Sequence, residues 1–141
     1  DRSIYEGVHV FAKNNHNQGT ISDLDFETYM DLFEQMLSMT REPDLMIYLR
    51  ASIEHLVGNI QKRGREYEQT MQLDYLKGLN KQYEEFINNN YKGRVLIIDV
   101  NNLDYEHRPE DFRFITDKID QIIYGLFPLN EKRPAESPSG F

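Results

Sequence analysis

"LMIYLRAS", residues 45–52, is the stretch that decides the fold. Leu45 through Leu49 run without a charge, bounded by Pro43 and Asp44 on one side and Ser52 on the other. A short uninterrupted apolar run of this kind marks a strand buried on both faces, as parallel strands are. A second such run, "RVLIIDV" (94–100), lies further along, and helical patterns occupy the chain between and around the two. Strands separated by helices imply a parallel sheet with helical cover, an α/β architecture.

Working outward, Ile4, Val8 and Phe11 recur on one face of a helix over 4–16, with Ser3 as its N-cap. "NNHNQGT" (14–20) reads as a loop, with Gly19 free to take positive φ. Ser22 caps a helix over 22–39, where Asp23 and Asp25 favour the positive end and Met30, Phe33, Met36 and Leu37 recur at helical spacing. Ser52 caps a helix over 53–63 that ends in the basic stretch "QKRGRE" (61–66). "LDYLKGLNKQYEEFI" (73–87) repeats Leu73, Leu76, Leu79, Tyr83 and Phe86 every three or four residues. Pro109, followed by Glu110 and Asp111, opens a last helix to about residue 127. Residues 128–141, which include "NEKRPAESPSGF", are rich in Pro, Ser and charge and are expected to form a flexible tail. Two parallel strands cannot make an independently stable sheet. The sheet is therefore expected to need further strands, and residues 1–127 to be part of a larger domain.

A chain of 141 residues suits one domain with one core. Its 16 Lys and Arg against 24 Asp and Glu give a formal charge of −8, which argues against a nucleic-acid partner. The absence of cysteine rules out a disulfide framework, a thiolate metal site and a cysteine nucleophile. No run approaches the roughly 18 apolar residues of a membrane span, so no membrane partner is expected and a reducing cytoplasm fits best. His9, His16, His55 and His107 show no metal-ligand spacing, and G-x-S-x-G, H-E-x-x-H, G-x-G-x-x-G and G-x-x-x-x-G-K-[ST] are all missing.

Three clusters are candidates for chemistry. Asp1, Arg2 and Ser3 combine a base, a cation and a cap, and read equally as a surface ion pair beside a capping serine. In "QKRGRE", Lys62, Arg63 and Arg65 surround Gly64; guanidiniums suit phosphate, and cations near a helix C-terminus also satisfy the dipole. "DVNNLDYEH" (99–107) is a polar loop directly after a buried strand, where α/β sheets form ligand crevices, although many such loops are only turns.

Together, "DRSIYE", "LMIYLRAS", "QKRGREYEQ", "LDYLKGLNKQYEEF" and "LIIDVNN" resemble, in order and spacing, the deoxynucleoside kinase family, specifically its bacterial deoxyadenosine/deoxyguanosine kinase branch. The resemblance covers residues 1 to about 127. It implies a P-loop kinase-like parallel sheet with helices on both faces, of which this chain is the C-terminal half: two full strands and five helices. The phosphate-binding loop would precede Asp1, its strand lying beside "LMIYL". The implied reaction is ATP-dependent phosphorylation of the 5′-hydroxyl of a deoxyribonucleoside, purine favoured.

On this resemblance Asp1 takes the proton of the attacking hydroxyl, and Arg2 holds the 5′-oxygen and phosphates. Phe11 stacks on the nucleobase. Arg63 and Arg65 belong to a lid over about 61–70, and Glu68 binds the sugar 3′-hydroxyl. Asn102 and Leu103 touch the adenine of ATP. ATP and Mg2+ are the implied cofactors, with ligands mostly outside this chain, and a homodimer through helices 4–16 and 22–39 is the implied assembly. Residues 1–141 alone are expected to be inactive. Gly7 stands where the family usually carries a base-reading acid, and Asn59 where some relatives have an Arg against adenine. The alternatives are a nucleoside monophosphate kinase of the thymidylate type, a non-catalytic dimer partner, or a nucleotide-binding subunit. Asp1 argues against the first, and Arg63, Arg65 and Glu68 against a retired site.

Overall fold

The computed structural model describes residues 3–63 and 73–126. Helix α1 spans 4–17 and begins in a capping box: Ser3 Oγ accepts from Glu6 N at 3.5 Å, and Glu6 Oε2 accepts from Ser3 N at 2.7 Å. Its middle, Gly7–Ala12, is wound in wider π turns before Lys13–Asn17 closes it as regular helix. The loop expected from residue 14 begins only after Asn17. The helix continues because Asn14 is buried, and Gly19, at φ 75°, makes the turn. Nor is α1 a single apolar stripe. Val8, Val10 and Ala12 are all buried, since helices pack on two of its sides.

Helix α2 (Asp23–Ser38) starts where Ser22 Oγ accepts from Asp25 N at 3.1 Å and buries Phe33. Strand β1 (Met46–Arg50) leads to helix α3 (Ile53–Arg63), which Ser52 caps by accepting from His55 N at 3.2 Å. Helix α4 spans 73–90, as Leu73–Glu85 followed by a π turn at Phe86–Asn90. Strand β2 (Val95–Asp99) and helix α5 (Pro109–Leu126) complete the described residues.

The two strands pair in parallel, Met46 opposite Val95 and Arg50 opposite Asp99. On one face Ile98 and Val100 pack with Ile115 of α5, joined by Leu96, Leu103 and Ile119. On the other, Tyr48 meets α4, where Tyr83 stacks on it at 6.0 Å between ring centres. Between α1, α2 and α4 an aromatic core forms: His9 stacks on Phe86 at 4.8 Å and sets its edge to Phe33 at 5.2 Å. Helices thus cover both faces of a parallel sheet. The expected complete burial of the strands is only partly met, because Ile47, Leu49 and Ile97 keep 40, 39 and 39 % exposure. Among the described residues each strand has one neighbour, the other strand, so its outer edge is unpaired there.

Candidate active site

β1 and β2 end side by side at Arg50 and Asp99, and the segments leaving them are fastened together. Asn101 Oδ1 accepts from Ser52 N at 2.8 Å, while Asn101 N donates to Asp99 Oδ1 at 2.9 Å. The cap of α3 and the loop after β2 therefore form one piece. That loop is braced internally: His107 Nδ1 lies 2.9 Å from Asp104 Oδ1, and Asp104 N donates to Asp111 Oδ2 at 2.8 Å in the first turn of α5. The hydrogen bond that His107 donates to Asp104 holds the His107 pKa above its ordinary value, and the same bond keeps the Asp104 carboxyl low. Lys62, near the end of α3, is close enough for its charge to act on both, so the basic helix end and the polar loop share one region.

Among the expected site residues, Arg63 is the last residue of α3 and is exposed. Asn102 is exposed in the loop after β2, whereas Leu103 packs against the Ile98, Val100 and Ile115 cluster. Phe11 is half-buried on α1 with its ring edge-on to Tyr83 at 6.4 Å. At Gly7 a Cβ would stand 3.3 Å from the Tyr29 hydroxyl. Asp1, Arg2, Arg65 and Glu68 lie outside the described residues. Among the described residues no three His, Cys, Asp or Glu side chains gather as metal ligands, and no helix is long and apolar enough to cross a membrane.

Two networks went unread in the sequence. Arg50 grips Glu84 with a fork, Nε to Oε1 and a terminal nitrogen to Oε2, both at 2.8 Å, and Tyr48 donates to Oε1 at 3.0 Å. Burial works to raise the Glu84 carboxyl, but bonds from Arg50 and Tyr48 outweigh it and hold its pKa low. Burial and the Glu84 bond push the Tyr48 phenol up. The second network links Tyr83 to Glu6, the hydroxyl donating to Oε1 at 2.8 Å. The only hints were polar residues at otherwise apolar-periodic positions, an Arg closing a strand and acids within α4.

A parallel sheet with helical cover, whose post-strand loops at the carboxyl edge meet a basic helix end, is the architecture of a nucleotide-handling α/β domain. The family model for deoxynucleoside kinase matches residues 1–124, and the chain belongs to that family. It is similar to the deoxyadenosine/deoxycytidine kinase of Bacillus subtilis, with 33% identity over 126 residues, 88% of this chain and 58% of that protein. It is also similar to the deoxyadenosine kinase of Lactobacillus acidophilus, with 32% identity over 132 residues, 87% of this chain and 61% of the relative. Among solved structures, deoxyadenosine kinase from M. mycoides with bound dATP matches with a TM-score of 0.67 at 30% identity, covering 85% of this chain and 60% of that one. The chain thus spans about three-fifths of the length of these relatives.

Proposed function

We propose that this chain carries the base, lid and adenine-loop part of an ATP-dependent deoxynucleoside kinase that phosphorylates the 5′-hydroxyl of a deoxyribonucleoside, purines favoured. The observation that supports the reading is the fastening of Ser52 to Asn101, which holds the start of α3 beside the loop after β2 at one sheet edge. Family membership supplies the reaction class. Residues 1–127 form the kinase part, with the lid at about 61–70.

Phosphoryl transfer asks little covalent help of a protein and much positioning and positive charge. Asp1 accepts the proton of the 5′-hydroxyl as that oxygen bonds to the γ-phosphorus of ATP and the bond to the β-phosphate oxygen breaks, releasing ADP. Arg2, Arg63 and Arg65 meet the charge on the phosphate oxygens, the latter two on a lid whose closure excludes water. Phe11 stacks on the nucleobase, Glu68 binds the 3′-hydroxyl and Asn102 faces adenine, while Leu103 anchors that loop to the core. Magnesium travels with the phosphates of ATP in such reactions. Among the described residues no three His, Cys, Asp or Glu side chains gather to hold it.

The strand carrying the phosphate loop would sit along the open edge of β1, where a cavity of about 410 Å³ is lined by Leu45, Ile47 and Tyr48 together with Ser3, Glu6 and Phe86. A homodimer through α1 and α2 uses the exposed stripe Tyr29, Leu32 and Met36, and nucleotide salvage in the cytoplasm is the setting that follows.

The test is made on the intact kinase domain, this chain completed on its amino-terminal side to the length of its relatives. Asp1→Asn lowers kcat by about 10²–10⁴-fold, the usual worth of a general base, and leaves deoxyadenosine binding largely intact. Arg65→Ala also slows turnover more than it weakens nucleoside binding. Equal loss of binding and turnover in Asp1→Asn would reduce Asp1 to a structural role.

A further inference from the structure

We propose that Asn101 is a positioning residue that fixes the turn presenting Asn102 to the adenine of ATP, and with it the choice of phosphate donor. This rests on the kinase reading above and adds to it a residue that touches no substrate. The chain leaves β2 in a four-residue turn, closed by Leu103 N donating to the Val100 carbonyl at 3.1 Å. Both ends of that turn, Val100 and Leu103, pack with Ile98 and Ile115. Val100 N also donates to the Arg50 carbonyl at 2.9 Å. Asn101 and Asn102 are the two middle residues, and their side chains differ in what they do. Asn102 is exposed. Asn101 is half-buried and committed to the fold: Oδ1 accepts from Ser52 N at 2.8 Å, 49 residues back, and its own N–H donates to Asp99 Oδ1 at 2.9 Å.

Apolar packing at Val100 and Leu103 is non-directional, so it holds the turn down without setting its tilt. The bond from Ser52 N supplies the direction, because hydrogen bonds weaken steeply off line. It also meets a need of α3, whose first N–H groups have no partner within the helix. The Ser52 hydroxyl is already engaged, accepting from His55 N at 3.2 Å, so the Asn101 carbonyl is what answers Ser52 N. Beyond the turn, Asp104 N donates to Asp111 Oδ2 at 2.8 Å. Asn102 thus projects between fixed points on either side. A site that reads a base through polar groups discriminates only while those groups stand in place. Asn101 keeps Asn102 in place from behind.

The experiment is steady-state kinetics on the intact kinase domain with deoxyadenosine and either ATP or UTP, alongside thermal melts. Asn101→Leu keeps the branched shape of the side chain and removes its polar atoms. It raises the ATP KM by about tenfold while the deoxyadenosine KM changes less than about twofold. The preference for ATP over UTP in kcat/KM falls by ~10-fold. Asn101→Asp keeps an oxygen for Ser52 N, its charge suits the positive start of α3, and its ATP KM stays within about threefold of wild type. Asn102→Ala raises the ATP KM as Asn101→Leu does, and joining the two adds nothing. Coupling runs both ways, so ATP, but not deoxyadenosine, slows amide exchange at Ser52 of the wild-type domain by about fivefold or more. That measurement decides the matter if Asn101→Leu fails to fold, and unmoved exchange would overturn the proposal. So would an Asn101→Leu domain that melts lower with its ATP KM unmoved, or one in which both KM values rise together. Equal impairment in Asn101→Asp and Asn101→Leu would overturn it too. A wild-type domain that phosphorylates no deoxynucleoside, or takes ATP and UTP alike, would overturn the reading of the donor loop itself. A selective wild type with unaffected variants overturns the positioning role alone.

Discussion

His9 and His107 sit in opposite electrostatic settings. Burial, aided by the charge of Lys13, pushes His9 below its ordinary 6.5, whereas the bond to Asp104 pulls exposed His107 above it. The folded state holds fewer protons at His9 than the unfolded chain does, so its contribution to stability is present at neutral pH and lost as pH falls below about 6.5. For His107 the sign reverses: the contribution is full below the unfolded value and lost as pH rises through the higher folded one. Asp104, held low, contributes above its unfolded value near 3.8 and loses that contribution on acidification, so the pair is strongest between the two. An NMR titration is expected to place His107 above 6.5 and His9 below it, with Asp104→Asn returning His107 towards the ordinary value and leaving His9 unmoved. A His107 that titrates at or below the ordinary value would refute the assignment. This pair was readable only as a polar loop. Its partners lie three residues apart, yet whether they bond depends on the turn the backbone makes there.

The elements show where local signals suffice and where they fail. Ser3, Ser22, Ser52 and Pro109 stand at the helix starts their chemistry predicts, because capping is settled within one turn. The two apolar runs became strands because an uninterrupted apolar run is likewise a local signal. The far end of α1 was misread because a tertiary contact decides it. Asn14 is buried against α4 at Gly78, where an added Cβ would run into Asn14 Oδ1. Arg50 with Glu84, and Glu6 with Tyr83, escaped for a related reason, since pairs distant in the chain leave no periodic mark. The same geometry separates two glycines. Alanine for a helical glycine ordinarily stabilises by roughly 0.5–1 kcal/mol. Gly58→Ala in α3 meets nothing within 4 Å among the described residues and is expected to stabilise by that amount in urea melts. Gly78→Ala is expected to cost about 1–3 kcal/mol, as overpacking does, because the added methyl would displace buried Asn14, whose Nδ2 already finds no partner among the described residues. A stabilising Gly78→Ala would show that the α1–α4 contact is looser than drawn.

For the molecule as a whole, the apolar surface left open has a pattern. Ile47, Leu49 and Ile97 stay part-exposed on the two strands, and Tyr29, Leu32 and Met36 run along α2. On the proposed reading the first set is met by the rest of the kinase domain and the second by another copy of the chain. Leu32→Lys would place a charge in that second contact, and sedimentation of the intact domain is then expected to shift from dimer to monomer while the fold persists. A mutant that remains dimeric would remove α2 from the interface. The family was legible at this scale because five motifs fall in its order along residues 1–124, whereas the substrate preference was not.

The most direct test of the account is a crystal structure of the intact kinase domain with deoxyadenosine and a non-hydrolysable ATP analogue. The expected result places the Asp1 carboxylate within hydrogen-bond reach of the 5′-hydroxyl, roughly 2.6–3.2 Å, with the Arg65 guanidinium on the γ-phosphate. Asp1 and Arg65 on opposite sides of the molecule, with no cleft between them, would contradict it.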